Sequence, residues 1–248
     1  MNIKSLIKKL INQCGFGICE NYHLQYDEGG LLSIHNHEFM DDPQFKEAYE
    51  RGVKASLTDH GMRWRVHVAL WAASKAKDLP GDFVECGVNR GMLSTAIMTY
   101  LKWNTLNKRF FLFDTFRGLD EKQIGAEEKA LGRTPAGDVN YSECFEEVKA
   151  NFAEFKNVVF VRGIIPDTLA TSQVNKVAYL SIDMNCAAPE IAAANYFWDR
   201  LVPGAVIVLD DYAFYGYRPQ KLAFDQFARE KGTSVLSLPT GQGLMIKN

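Results

Sequence analysis

No apolar run in this 248-residue sequence approaches the roughly 18 residues that a membrane-spanning helix needs, so no transmembrane segment is expected. Cysteine is sparse: five residues, at positions 14, 19, 86, 144 and 186, odd in number and without the paired spacing of a metal knuckle. That pattern argues against a disulfide framework and for free thiols in a reducing, cytoplasmic setting. A net charge of −2 supplies no broad field for DNA, RNA or an anionic membrane, so no nucleic-acid partner is expected. Internal repeats and low-complexity tracts are missing too, which removes solenoids and disordered arrays from consideration. The opening "MNIKSLIKKLINQCGFG" lacks the continuous apolar core of a signal peptide.

What that opening does carry is one apolar helical face, Ile3, Leu6, Ile7, Leu10 and Ile11, with Lys4, Lys8 and Lys9 elsewhere. The face is expected to pack on the domain or on a partner subunit in a homo-oligomer. A weak membrane-surface contact is the alternative. Hydrophobic residues make up 47% and charged ones 23%, the balance of a soluble globular protein long enough for one sizeable α/β domain.

Residues 1–60 read as a partly helical, irregular extension with a turn signal at "DEGGLL", and residues 61–248 as one domain. "WRVHVALWAASKAK" predicts a helix that stops before Pro80-Gly81. Strands and helices then alternate. Apolar runs at 82–88, 109–116, 158–163, 176–183 and 205–211 predict five buried strands, and helical patterns separate them. "SVLSLPTGQGLMIKN" predicts two further short strands joined by a Pro/Gly turn. The fold class that follows is a Rossmann-like, doubly wound α/β domain, with a mostly parallel seven-stranded sheet, a C-terminal antiparallel hairpin and an N-terminal helical extension. The polar stretch "RGLDEKQIGAEEKALGRTPAGDVN" is too long for an ordinary connection and predicts a lid or substrate loop.

Ligands of such folds bind beyond the carboxyl ends of the strands, and here those ends carry acids: Glu85, Asp114, Asp183 and the pair Asp210-Asp211. Any one of them could simply cap a helix; their arrival at one rim asks for a ligand. The turn after the first strand reads Glu85-x-Gly87-x-x-x-Gly91, with an acid where a dinucleotide fingerprint needs its first glycine. An acid there repels a pyrophosphate and suits an ammonium. Asp114, ending the next strand, is placed for ribose hydroxyls. An amino acid joined to a ribose describes S-adenosylmethionine better than NAD. Asp183, Asp210 and Asp211 would repel one another unless their pKa values rise or a cation binds, and an all-oxygen set suits Mg²⁺. In the plainer reading, one Asp caps a helix and another pairs with Lys or Arg.

In order and spacing, "GDFVECGVNRG", "FFLFDTFRGLD", "VRGIIPDTL", "LSIDMN", "LVPGAVIVLDDY" and "LPTGQGLMIK" resemble the macrocin O-methyltransferase family over roughly residues 60–248. The resemblance implies an S-adenosylmethionine- and Mg²⁺-dependent enzyme that methylates a sugar hydroxyl of a small molecule or glycan. It implies that Glu85, Gly87 and Gly91 border the methionine part of the cofactor and that Asp114 binds the ribose. Arg162 and Gly163 would lie near the adenine. Asp183, Asp210 and Asp211 would hold the metal, with Asp183 also binding cofactor and deprotonating the acceptor. Where sugar-methylating members commonly read Asp-Gly-Asp, this chain reads Asp183-Met184-Asn185, an amide in place of the second acid. A catechol-like phenol as acceptor, and a non-catalytic cofactor-binding protein, are the competing readings. His35 and His37 are read as surface or packing residues, Trp64, Trp71 and Trp198 as core, and Cys86 and Cys186 as small packing residues. His60 could serve as a base, and Tyr212, Phe214, Tyr215 and Tyr217 could line a sugar pocket.

Overall fold

The structure, a computed structural model, describes residues 3–13, 24–135 and 142–248. Cys14, Cys19 and residues 136–140 of the polar stretch lie outside the described residues.

Seven strands form one sheet: β3 (Asp82–Cys86), β4 (Phe110–Asp114), β5 (Val158–Arg162), β6 (Val177–Ile182), β7 (Leu201–Leu209), β8 (Leu236–Ser237) and β9 (Gly243–Ile246). Their order across the sheet is β5-β4-β3-β6-β7-β9-β8. Strands β3 to β7 run parallel. All six residues of β6 are buried, as a central strand with helices on both faces requires. The chain winds outward one way through β3, β4 and β5, then crosses back to β6 and continues the other way. The crevice between the ends of β3 and β6 is therefore the topological switch point.

Sequence periodicity predicts the closing hairpin but not its order. The last strand, β9, sits beside β7 and antiparallel to it, with Val206 opposite Ile246 and Leu209 opposite Gly243. Strand β8 takes the edge. Its two residues are both exposed, whereas β9 buries Gly243 and Met245, and a short edge strand limits further pairing. Strand β7 also begins four residues before the predicted start. Its register with β6 slips between Leu201 and Val206, around Pro203, which has no N–H, and Gly204 at φ 84°.

Helix α3 (Arg63–Ala76) buries Val66, Ala69, Leu70 and Ala73. Helix α4 (Met92–Tyr100) follows the β3 turn. Residues 43–56 form a regular helix, α2 (Pro43–Ser56), begun by Pro43 and by the Asp42 carboxylate, which accepts from the backbone N–H of Gln44 and Phe45. Helix α2 crosses α4 at Gly52, where a Cβ would come within 2.7 Å of the Met92 carbonyl. It thereby buries Phe45, Ala48 and Tyr49 in the core shared with the sheet. The "DEGGLL" signal is a hairpin of β1 (Tyr26–Glu28) and β2 (Leu31–Ser33), with Gly29 and Gly30 both at positive φ. In the first helix, α1 (Ile3–Gln13), the residues Ile3, Leu6, Ile7 and Leu10 are exposed, so the described chain does not cover the predicted apolar face. No described helix is long and apolar enough to cross a membrane.

Candidate active site

The switch-point crevice opens into a cavity of about 370 Å³ lined by Glu85, Gly87, Asp114, Gly163, Asp183, Asp210 and Asp211, among others. Its deepest acid is Glu85 on β3, 3% exposed. The Glu85 Oε2 atom is buried and has no hydrogen-bond partner. Burial first, then the negative charges of Asp210 and Asp114, push its carboxyl well above the ordinary value of 4.5. Glu85 lines the cavity, and a side-chain carboxyl there with an oxygen left without a donor is a fitting receptor for a ligand ammonium.

The two glycines of the turn owe their identity to the protein itself. Gly87 has φ 89°, and a Cβ on it would lie 1.7 Å from the Asp183 carbonyl oxygen. Strand ends β3 and β6 are laced together there, Asp183 N–H donating to the Cys86 carbonyl at 2.8 Å. Gly91, at the start of α4, is outside the cavity lining, and a Cβ on it would meet the Phe152 ring at 2.5 Å. Gly87→Ala combines a positive φ with a backbone collision. It is expected to destabilise the fold by about 3 kcal/mol or more, measurable by urea unfolding; a loss near zero would mean the two strand ends are not so closely apposed.

Asp114 is turned mainly on the turn that follows β3. Its Oδ2 accepts from Val88 and Asn89 N–H at 2.6 and 2.8 Å, and its Oδ1 accepts from Phe116 N–H at 2.6 Å. Thr115 Oγ1 is 3.4 Å away, but it also lies 2.6 Å from the Gly118 carbonyl, the better acceptor for its one proton. A carboxylate offers about four lone-pair sites, so Asp114 keeps room for one further donor. Gly163 lines the cavity, while Arg162 points to a neighbouring cleft with Thr115, Arg117 and Ile164. The Arg162 guanidinium pairs with Glu143 at 2.6 Å and lies over Phe145.

The acidic rim is brought together on the far wall. Asp183 follows β6, and Asp210 and Asp211 follow β7. Between the last two lies a residue that sequence reasoning passed over, Arg65 of α3. Its Nη2 donates to Asp211 Oδ1 at 2.9 Å, to the Asp210 carbonyl at 2.8 Å, and to Asp210 Oδ2. Asp210 Oδ1 in turn accepts from Gln242 Nε2 at 2.9 Å. Burial opposes the Arg65 charge, but Asp210 and Asp211 more than offset it, and its pKa rises further. Asp183 is pushed well above its ordinary 3.8 by burial, with Asp210 and Asp211 adding to the shift. Burial, then Asp210, pushes Asp211 up to about 6.

These positions bear on the predicted Mg²⁺. The donor chemistry suits the ion, but the arrangement does not: among the described residues no three His, Cys, Asp or Glu side chains surround a point that could hold a metal. Asp210 and Asp211 are instead joined through a guanidinium. The plainer expectation, an Asp paired with Arg, describes two of the three acids.

Residues 60–235 match the family described as Macrocin-O-methyltransferase (TylF). The chain belongs to this family. Among its relatives is the 8-demethyl-8-(2,3-dimethoxy-alpha-L-rhamnosyl)-tetracenomycin-C 4'-O-methyltransferase of Streptomyces olivaceus, 28% identical over 64% of this chain and 66% of that protein. The Mycinamicin III 3''-O-methyltransferase of Micromonospora griseorubida is 26% identical over 67% of this chain and 70% of that protein. The chain thus spans about two thirds of the length of the curated relatives it matches. Among solved structures, the O-methyltransferase NovP shares the fold with a TM-score of 0.69 at 19% identity, over 85% of this chain and 99% of that one.

On the cavity wall, Asn185 stands at φ 60°, where its small amide tolerates the left-handed turn. Tyr217 O–H donates to Asn185 Oδ1 at 2.6 Å, and Asn185 Nδ2 makes a long 3.5 Å contact to Asp183 Oδ1. The same loop is held by Glu190, which accepts from Met184 N–H at 3.1 Å. Two described residues of the polar stretch reach neighbouring backbone and rings: Glu128 accepts from Ala187 N–H at 2.7 Å, and Arg133 stacks on Tyr217 at 3.9 Å while donating to the Gly216 carbonyl. Of the aromatic candidates, Phe214 and Tyr217 line the cavity. Tyr212 is buried against Asp225, and Tyr215 is 96% exposed. His60 also lines the cavity, whereas His35 is exposed and outside it.

Proposed function

We propose that this chain transfers the methyl group of S-adenosylmethionine to a hydroxyl of a sugar or a glycosylated metabolite. The observation that carries the reading is Glu85, a buried, unpartnered carboxylate oxygen at the switch point of a macrocin O-methyltransferase fold. The sugar as acceptor is supported by the relatives, whose names specify O-methylation of rhamnosyl-tetracenomycin and of mycinamicin.

In this reading Glu85 receives the cofactor's ammonium and Asp114 offers its remaining lone pair to one ribose hydroxyl. Gly163 leaves space beside the adenine, with Arg162 outside at the neighbouring cleft. The acceptor enters between Asp183 and the loop carrying Phe214 and Tyr217. Asp183 takes the hydroxyl proton as the oxygen attacks the methyl carbon, and the sulfonium leaves as a neutral thioether. Holding the reactants in line, in a pocket closed by the 117–135 stretch, supplies the entropic part of the rate. Mg²⁺ assistance belongs to the family's expected chemistry. It would supply Lewis-acid activation of the acceptor hydroxyl, but the arrangement of Arg65 gives it no place in the steps above.

The test is direct. Calorimetry should show S-adenosylmethionine binding in preference to NAD. Incubation with a panel of rhamnosyl glycosides, nucleotide sugars and catechols should give a methylated sugar by mass spectrometry, together with S-adenosylhomocysteine. Methylation of the catechol alone would shift the acceptor class to phenols. Binding without turnover on any member would favour the non-catalytic reading.

A further inference from the structure

We infer that the Arg65 guanidinium is the resident cation of the acidic rim, standing where the sequence pattern leads one to expect a Mg²⁺ ion. This inference rests on the reading of the cavity as a methyl-transfer site. It adds that the acceptor chemistry of this chain runs without a divalent metal.

Three observations carry it. The first is contact: one nitrogen, Nη2, bridges the carboxylates of Asp210 and Asp211 and also reaches the Asp210 carbonyl. A planar guanidinium presents fixed, always-charged donors, so it offsets one of the two negative charges and bridges both carboxylates without the dehydration that Mg²⁺ resists. The second is enclosure. The Arg65 side chain is only 11% exposed and lies over the Phe214 ring at 5.0 Å, on a helix whose next residue, Val66, is in the core. It is built into the wall and is not a surface side chain that happened to fold inward. The third is that Asp210 is already satisfied from its other side. Gln242, fully buried, donates to Asp210 Oδ1 at 2.9 Å and is itself fixed by Thr240 Oγ1 at 3.0 Å. An ion sharing these two carboxylates would stand against a like charge and would have to compete with two donor groups, Arg65 and Gln242.

The amide at position 185 agrees with this exchange. A rim with one fewer acid needs less positive charge to offset it, and a single guanidinium against Asp210 and Asp211 leaves Asp183 as the carboxylate facing the acceptor. In the reaction, Asp183 takes the hydroxyl proton, the oxygen forms its bond to the methyl carbon, and the carbon–sulfur bond breaks with its electron pair returning to sulfur. No oxidant, reductant or ion is needed for that balance. Arg65, which lines the cavity, contributes fixed positive charge beside the oxygen as it becomes anionic.

The test is a calorimetric titration of MgCl₂ into protein saturated with S-adenosylhomocysteine, for the wild type, Asp210→Asn, Arg65→Met, and Arg65→Met combined with Asp210→Asn. The wild type should give no saturable heat, and its methyl transfer should be unchanged by EDTA. Arg65→Met should acquire a saturable site at least about tenfold tighter than any wild-type binding, because a like charge has left contact distance of the ion. The double variant should lose that site again. Saturable Mg²⁺ binding by the wild type that disappears in Asp210→Asn overturns the inference. So does a folded Arg65→Met that stays silent, since the carboxylates would then not be a cation site at all. If Arg65→Met does not fold, the wild type and Asp210→Asn decide the question alone. Failure of the wild type to bind S-adenosylhomocysteine in the first step would overturn the methyl-transfer reading and leave the occupancy of the rim by Arg65 as a separate fact.

Discussion

Asp183→Asn is expected to lower the methyl-transfer rate roughly 10²- to 10⁴-fold, the range a general base contributes, while leaving S-adenosylhomocysteine binding nearly intact. The residue is placed by its backbone: its N–H is tied to the Cys86 carbonyl, and its carbonyl oxygen fills the space that Gly87 leaves. Glu190 fixes the next residue through the Met184 N–H. Asparagine keeps that backbone and the volume of the side chain, so what is lost is the ability to take a proton. The sign of the pH dependence follows from the upward shift that burial and the neighbouring Asp210 and Asp211 impose. A base works only when ionised. The wild-type rate should therefore climb with pH through a limb above the ordinary 3.8 and then level, and that limb should be missing from the variant. A variant with full rate, or a variant that keeps the same limb, would move the proton to another group, His60 being the next candidate on the cavity wall.

Glu85→Gln should separate binding from stability in opposite directions. A hydrogen bond to a charged group is worth about 1.5–3 kcal/mol, so losing the carboxylate should weaken S-adenosylmethionine binding roughly 10- to 150-fold. The free protein, by contrast, should gain. In the folded chain the Glu85 carboxyl titrates well above 4.5, its ordinary value. The folded state then holds a proton that the unfolded state has released, and stability falls as pH rises from the unfolded value up to the folded one. Glutamine removes that loss, so the variant should melt higher than the wild type at neutral pH, and the difference should vanish in acid below 4.5. Cofactor affinity of the wild type should rise over the same pH window as Glu85 ionises, and stay flat in the variant. A variant that both binds normally and melts normally would remove Glu85 from the cofactor site.

Much of this was legible in the chain itself, for a physical reason. "DFVEC", "FFLFD" and "VAYLSI" are buried on both faces, so each reads as a continuous apolar run with its acid at or near the end. The parallel sheet and the acidic rim follow from those runs. The order of β8 and β9 does not, because two short strands around a Pro/Gly turn pair equally well either way by period alone. The glycines mark close approaches that the sequence does not spell out. Gly87 makes room for the Asp183 carbonyl and Gly91 for Phe152, contacts between segments far apart in sequence. Arg65 was hidden for the same reason: it is one of two arginines in "RWR", and its partner Asp210 is 145 residues away. Only the surplus of carboxylates hinted that some cation had to meet them. Gln242 lay inside a recognised motif, "LPTGQGLMIK", yet its hydrogen bond to Asp210 exists only because β9 is inserted beside β7.

The claim on which the rest depends is that Glu85 receives the amino group of S-adenosylmethionine at the switch point. A crystal structure of the chain with S-adenosylhomocysteine tests it most directly. The account predicts the ligand nitrogen within hydrogen-bond distance of a Glu85 carboxylate oxygen, one ribose hydroxyl on Asp114 Oδ1, and the adenine beside Gly163. A ligand whose amino end lies away from Glu85, with Oε2 still unpartnered, would contradict it.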